Sequence, residues 1–461
     1  MIKKTIPYSH QLESINFSVK NNGRVAFLHS IGVGKSLVGL YSAAEGGANK
    51  VLVVCPSSVR KTWHDEVKKH TDWKFLSLEG TASNRKQLLN RKANVYCINY
   101  EGLKYLFGTK RNNRFMPLCN VPVFDAVIFD ESQHLSNYRA LQTQIASFLA
   151  RKAKYCYLLS GTPINGTEMQ LWSQYWILDG GKTLGRNFFV FRNRYFDCYR
   201  HSGYRKHWVE WKIKSNGREQ ILDAISPITL RFDRKNCLSL PPLIYEKRYV
   251  ALSKEQKNII NALKGEIVSE IDPALKQGIS RLGIYKAIKL AQVPGGTIIT
   301  SDNSIKIFNP NPKLDELVDL LAQIDEKVVI FHAFTEEGRI IEQVCEGQGW
   351  NFCSLRAEVT DKAKEIEKFQ EDKNYRIMIA HPSSGGEGLN LQVANIAIFY
   401  SLGFIGHLRR DQAEGRIYRS GQNKKCTIID LIAEDSMDEH LLTVQQEKRD
   451  VTEAILRFFE R

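Results

Sequence analysis

The chain has 461 residues, more than one hydrophobic core usually serves, so two or three domains are expected and a small stapled scaffold is excluded. Lys and Arg number 65 against 50 Asp and Glu, a formal net charge of +15 that favours a polyanionic partner without choosing one. Nine scattered cysteines form no Cys-x-x-Cys pair, and no apolar run reaches the about 18 residues of a membrane span, so a reduced, cytoplasmic chain is expected and secretion, membrane insertion and a zinc ribbon are not.

Short apolar runs separated by helical patterns recur along the first part of the chain: residues 24–30 (RVAFLHS), 50–56 (KVLVVCP), 94–100 (NVYCINY), 125–131 (DAVIFDE) and 155–162 (YCYLLSGT). That rhythm predicts a doubly wound α/β lobe with a parallel sheet over residues 1–180. Residues 181–310 break it, with helical stretches, the Pro241-Pro242 break and the loop 293–304, and are expected to form a mostly helical insertion and linker. Within it, residues 186–214 hold eight Lys or Arg, two acids and nine aromatics, a mixture that suits either a nucleic-acid strand or a core with a solvated face. A second strand series at 327–334, 351–355, 375–381, 396–401 and 426–432 predicts a second α/β lobe over 311–437. In the tail, 438–461, Leu441, Leu442, Val451, Ile455, Leu456 and Phe459 fall on one helical pattern, expected to brace one lobe against the other.

Strand 24–30 runs into Ser30-Ile31-Gly32-Val33-Gly34-Lys35-Ser36 and then an apolar helical pattern, the setting of a phosphate-binding loop. Gly32 and Gly34 let backbone N–H groups turn towards phosphate oxygens, Lys35 reaches the terminal phosphates, and the Ser36 hydroxyl ligates Mg²⁺. His29 stands where the strict pattern has its first glycine. Asp130-Glu131-Ser132-Gln133 ends another apolar strand. There Asp130 suits a Mg²⁺ held through water, and Glu131 suits a base that orients and deprotonates the attacking water.

Through these motifs the chain resembles the superfamily-two helicases, and in detail the SWI/SNF-type DNA translocases, whose fold is a pair of RecA-like lobes. The resemblance implies ATP and Mg²⁺ as cofactors, with Gln11 reading the adenine edge. It implies nucleic-acid contacts at Ser57, Ser58 and Arg60, at Asn99 and Tyr100, and at Thr162 in Ser160-Gly161-Thr162-Pro163-Ile164-Asn165. In the second lobe, Ser383-Ser384-Gly385-Gly386-Glu387-Gly388-Leu389-Asn390-Leu391 resembles the family's glycine-rich loop, placing Ser384, Gly385, Gly386 and Asn390 against phosphates and Gly388 near the nucleotide. Gln412-Ala413-Glu414-Gly415-Arg416-Ile417-Tyr418-Arg419 carries the family's Gln-x-x-Gly-Arg-x-x-Arg pattern: Gln412 lies near the nucleotide, and Arg416 and Arg419, three apart on an expected helix, act as arginine fingers.

Neither lobe then holds a complete catalytic set, and the expected activity is an ATP-driven motor on nucleic acid, with double-stranded or branched DNA as the expected track. Gly421-Gln422 after the arginines, together with the segments 184–197 and 230–256, resembles the SWI/SNF-type branch. A strand-separating DNA or RNA helicase and a non-catalytic, ATP-switched clamp are the alternatives. A monomer that takes its targeting from protein partners is expected, working inside a bacterium or an infected cell.

Overall fold

The computed structural model describes residues 1–446 apart from 112–113, 119–120, 165, 204–205, 238–239, 271–280, 301–303, 357, 360, 384–389 and 420. The chain divides near residue 240 into two compact units.

The first unit contributes strands β1 (Arg24–Phe27), β2 (Val51–Cys55), β3 (Phe75–Ser77), β4 (Val95–Asn99), β5 (Gly108–Arg111) and β6 (Arg114–Pro117). They are followed by β7 (Ala126–Asp130), β8 (Tyr155–Leu159), β9 (Phe196–Gly203), β10 (Lys206–Ile213) and β11 (Thr229–Leu230). Seven of them form one parallel sheet in the order β11-β1-β8-β7-β2-β4-β3. Alternate residues feed two cores: Val25, Phe27, Val53 and Ile128 on one face, Ala26, Leu52, Val54 and Phe129 on the other. Burial on both faces is why these strands read as unbroken apolar runs. Helices α1 (Ser9–Lys20), α2 (Lys35–Glu45) and α3 (Arg60–His70) cover the first of those faces through Ile15, Leu37, Leu40, Tyr41, Trp63 and Val67.

The second unit adds β12 (Leu243–Val250), β13 (Thr297–Ile299), β14 (Ile305–Ile307), β15 (Val328–Phe331), β16 (Phe352–Ser354), β17 (Ile377–Ala380), β18 (Ile396–Phe399) and β19 (Cys426–Ala433). Its sheet is also parallel, in the order β12-β19-β18-β15-β17-β16. Both sheets place their loops after the carboxyl ends of parallel strands, where open α/β sheets bind ligands. No helix among the described residues is long and apolar enough to cross a membrane.

Residues 181–310 do not form a body of their own: the helices Phe188–Tyr195, Gly217–Ile225, Lys254–Glu270 and Arg281–Gln292 alternate with strands, and the segment is shared between the two units. The part before residue 240 belongs to the first unit, where β9 and β10 make an antiparallel hairpin and β11 extends the sheet beside β1. The part after it belongs to the second unit, where β12 forms the sheet edge along β19. The charged run Glu246-Lys247-Arg248, exposed at Lys247 and Arg248, disguises β12 as a loop, and such charges are what an edge strand uses to discourage further pairing. In the aromatic stretch, Phe191, Tyr195 and Phe196 are core, while Tyr199 is exposed on the hairpin and the Arg192 guanidinium lies 3.7 Å from the Trp211 ring centroid.

Of the segment expected as a C-terminal helix, Met437–Gln446 is helical and its Leu441 and Leu442 join the second unit's core; residues 447–461 lie outside the described residues. Its anchor is a fully buried ion pair: Lys313 bonds Asp438, whose carboxylate also accepts the Ala433 N–H at 3.2 Å. Asp438→Ala would leave the ammonium buried and unpaired. Urea unfolding of this variant is expected to show a loss of about 3–5 kcal/mol from the second unit.

Candidate active site

The turn between β1 and α2 is shaped by two left-handed glycines, Gly32 at φ 85° and Gly34 at φ 82°, the latter capping α2. Only glycine takes that backbone without strain, and a Cβ on Gly34 would lie 2.3 Å from the Gln11 amide nitrogen. Gln11 is 4% exposed and packs on the loop itself, its Oε1 accepting the Tyr8 N–H at 2.9 Å and its Nε2 donating to the Val33 carbonyl at 3.1 Å. Lys35 opens α2, and its Nζ donates to the His29 and Ser30 carbonyls at 3.1 and 3.4 Å. Ser36 follows at the helix start, where N–H groups and the helix dipole favour an anion.

The structure explains His29. The Phe232 N–H donates to its Nδ1 at 3.2 Å, so Nε2 carries the proton and donates to Ser14 Oγ at 2.9 Å; Ser14 in turn donates to the His10 carbonyl. The ring thereby fastens α1, β1 and the segment after β11 to one another. Burial first, then the nearby Lys35 and His10, pull its pKa down to about 3, so it stays neutral.

Asp130 ends β7 and is held from three directions. Its Oδ2 accepts the Trp63 indole N–H at 2.8 Å, its Oδ1 the Glu131 N–H at 3.1 Å, and its carbonyl the Tyr100 hydroxyl at 2.7 Å. Glu131, 8% exposed, has a left-handed backbone at φ 52°, a strained conformation for a residue with a side chain. A line of hydrogen bonds runs from it to the tip of β8: Gln133 Nε2 donates to Glu131 Oε2 at 2.6 Å, Ser160 Oγ donates to Gln133 Oε1 at 2.7 Å, and the Thr162 N–H donates to Ser160 Oγ at 3.0 Å. Buried Gln174 makes a second bridge, accepting from the Ser132 hydroxyl and donating to the Pro163 carbonyl, each at 2.7 Å. A Cβ on Gly161 would stand 3.4 Å from the His29 carbonyl and 3.5 Å from Lys35 Nζ, so the phosphate loop and the tips of β7 and β8 meet in one place.

Ser57 and Ser58 are exposed just after β2; Arg60 pairs with Glu79 at 2.9 Å and donates to the Ser57 carbonyl. Asn99 ends the adjacent β4, donating to Glu101 at 2.7 Å and accepting from Arg85 at 3.2 Å. Tyr100 departs from its expected role: its side chain is 1% exposed and turned inward onto Asp130, so it does not reach a nucleic-acid backbone. The residues that organise this region without a motif are Trp63, Gln133 and Gln174. Of these, only Gln133 had a signal in the sequence, its place directly after Asp130-Glu131-Ser132.

In the second unit, Ser384, Gly385, Gly386 and Gly388 lie outside the described residues. Asn390 is described, its carbonyl accepting from Gln370 at 2.7 Å and its Oδ1 from the Gln392 N–H at 3.2 Å. Gln412 and Arg416 lie on the helix Gly406–Ile417, Arg416 only 5% exposed, and the charges of Arg409 and Arg416 add to burial in lowering the pKa of His381. Arg419 is not on that helix, contrary to the three-residue reading. Gln422 Nε2 takes the Ile417, Ala394 and Gln392 carbonyls at 2.9–3.2 Å and the chain turns away. The helix is seated by a buried network: Arg410 pairs with Glu414 at 2.9 Å and Asp430 at 2.8 Å, and the Tyr245 hydroxyl donates to Glu414 at 2.7 Å.

Two outcomes follow from the loop. Gly34→Ala adds a clash to a left-handed backbone, and a fluorescent ATP analogue is expected to bind it at least about tenfold more weakly, since the backbone term alone costs roughly 1–2 kcal/mol. His29 has a folded pKa of about 3 against an ordinary 6.5, so its contribution is fully present above pH 6.5 and is lost as pH falls towards 3. Between pH 7.5 and 5.0 the wild type should lose about 2 kcal/mol more than His29→Gln in urea unfolding.

Among known proteins, residues 10–289 match the SNF2-related domain and residues 312–421 the helicase conserved C-terminal domain. The chain is 25% identical, over 99% of its length and 98% of the other's, to "Putative protein p41" of Acyrthosiphon pisum secondary endosymbiont phage 1. It is 23% identical to "Uncharacterized ATP-dependent helicase YqhH" of Bacillus subtilis, covering 98% of this chain and 79% of that one. The solved Sulfolobus solfataricus SWI2/SNF2 ATPase core in complex with dsDNA is 22% identical with a TM-score of 0.45, over 98% of this chain and 93% of that one. The SNF2-related match alone takes in more than half of the sequence, and the chain belongs to the SNF2-related family of superfamily-two helicases, nucleic-acid-dependent ATPases with two RecA-like α/β lobes.

Proposed function

We propose that this motor hydrolyses Mg-ATP to translocate along double-stranded DNA, remodelling DNA or DNA-bound proteins without separating the strands. The observation that carries the reading is the hydrogen-bonded line Glu131–Gln133–Ser160–Thr162, which ties the water-activating carboxylate to a strand tip flanking the nucleic-acid loops. A nucleic-acid track is supported by the formal charge of +15 and by loops whose hydroxyl and guanidinium groups suit phosphates rather than bases, and duplex DNA among nucleic acids by the SNF2-related match.

In this reading Lys35 neutralises the terminal phosphates and the α2 N-terminus receives them. The Ser36 hydroxyl and the Asp130 carboxylate are hard oxygen donors that fit Mg²⁺ and would hold it, Asp130 through water; the ion would supply positive charge to offset that of the phosphates. Glu131 orients the attacking water and takes its proton. The Gln11 amide has one N–H and one lone pair beyond its bonds to Val33 and Tyr8, a donor and acceptor pair suited to the adenine edge. Arg416 and Arg419 act on the same ATP, stabilising charge on the transferring phosphoryl, and Gln412 and Gly388 assist at the nucleotide. Ser57, Ser58, Arg60, Asn99 and Thr162 contact the track from the first lobe, and Ser384, Gly385, Gly386 and Asn390 from the second.

ATP turnover measured separately with duplex DNA, single-stranded DNA, branched DNA and RNA tests the reading. Duplex or branched DNA should stimulate most; stimulation by RNA or single strands alone would contradict it. Glu131→Gln should still bind ATP and hydrolyse it at least about 100-fold more slowly, and Arg416→Ala should lose about 10³-fold. Wild-type turnover no faster than Glu131→Gln would point to a clamp instead of a motor.

A further inference from the structure

The two loops proposed to touch the track, residues 57–60 after β2 and 99–101 after β4, each lead into a buried aromatic residue, Trp63 and Tyr100, both 1% exposed. Each aromatic sends its side-chain polar group to the same residue, Asp130. We infer that Trp63 and Tyr100 are positioning residues that carry nucleic-acid engagement to Asp130, so that DNA bound at the loops resets the carboxylate pair. The inference rests on the proposed ATPase reading and assigns it a route.

The geometry favours transmission over mere satisfaction of buried polar groups. An indole has a single N–H, and any backbone carbonyl would satisfy it. Trp63 spends its N–H on Oδ2 of the carboxylate at 2.8 Å, a charge-assisted bond that fixes the orientation of that group. Trp63 lies three residues after Arg60 on α3, so both occupy the same side of one short helix, and the indole is packed in the core with Val67 and Leu40. A shift of the helix start on a phosphate therefore moves the indole with it. Tyr100 works on the other side of the same strand tip: its hydroxyl holds the Asp130 carbonyl at 2.7 Å, and its ring stacks on His134 with centroids 5.0 Å apart. His134 belongs to the turn Ser132–Leu135 that directly follows Glu131. One aromatic thus orients the Asp130 side chain and the other the backbone from which Glu131 projects.

The test uses the full chain carrying Trp63→Phe or Tyr100→Phe. Each keeps a ring in the core and deletes the donor; Tyr100→Phe removes nothing else, while Trp63→Phe also gives up part of the indole's buried volume, which the thermal midpoint reports. Three quantities are read: ATP turnover with and without saturating duplex DNA, duplex affinity from fluorescence anisotropy, and thermal midpoint. The ratio of stimulated to unstimulated turnover should fall at least about tenfold in Trp63→Phe, the value of one hydrogen bond to a charged group, and about fivefold in Tyr100→Phe, whose bond is to a neutral carbonyl, with duplex affinity unchanged. An unchanged ratio overturns the inference, whether or not both rates drop together, because a merely structural lesion lowers both. Weakened duplex affinity with an intact ratio overturns it as well. If Trp63→Phe fails to fold, Tyr100→Phe carries the test alone, since it removes a single oxygen. A wild type that no nucleic acid stimulates sinks the underlying ATPase reading, and this route with it, from the wild-type arm alone.

Discussion

Two neighbouring acidic residues at the tip of β7, Asp130 and Glu131, are held at their carboxylates and at the Asp130 carbonyl by neutral donors that arrive from separate parts of the first lobe. The indole comes from α3, the phenol from the turn after β4, the amide from the turn beyond Glu131, and that amide is itself held by a hydroxyl from the tip of β8. A hydrogen bond to a charged group contributes about 1.5–3 kcal/mol, enough to orient a side chain and to hold Glu131 in its strained backbone conformation. The order of the sheet makes this convergence possible, because β8, β7, β2 and β4 are consecutive neighbours and their loops emerge side by side. Chemistry at β7 is therefore connected to the first-lobe loops proposed to grip the track.

The second lobe solves a related problem with charge rather than with neutral donors. Its arginine helix is seated by Arg410 between Asp430 and Glu414, all nearly inaccessible, and removing one partner from such a set strands a charge in a low-dielectric interior. Gln422 collects three carbonyls with one amide nitrogen and ends the helix before Arg419. Arg416 and Arg419 consequently stand on different local backbones, one helical and one past the helix end.

The central strands were legible in the sequence because burial on both faces leaves no polar alternation to confuse them; β2, β7 and β8 coincide with apolar runs read from composition alone. The peripheral strands were not. β11 is two residues long and joins β1 from more than two hundred positions away, and β12 wears the charges of an exposed edge. At the site, the phosphate loop and the Asp-Glu box are local patterns and could be read directly. The partners of those residues are tertiary. Nothing local shows that the His29 ring accepts a hydrogen bond from Phe232, or that Trp63 reaches Asp130. Tyr100 illustrates the reverse case, a residue in a loop of the right kind whose side chain turns into the core.

The central claim is ATP-driven movement along intact duplex DNA. It is tested most directly by displacement of a third strand from a triplex, run beside unwinding of a forked duplex with the same enzyme and ATP. The account predicts that the third strand is released in an ATP-dependent manner while the fork remains paired. Release of the forked strand, or no release from the triplex under conditions of full ATP turnover, would contradict it.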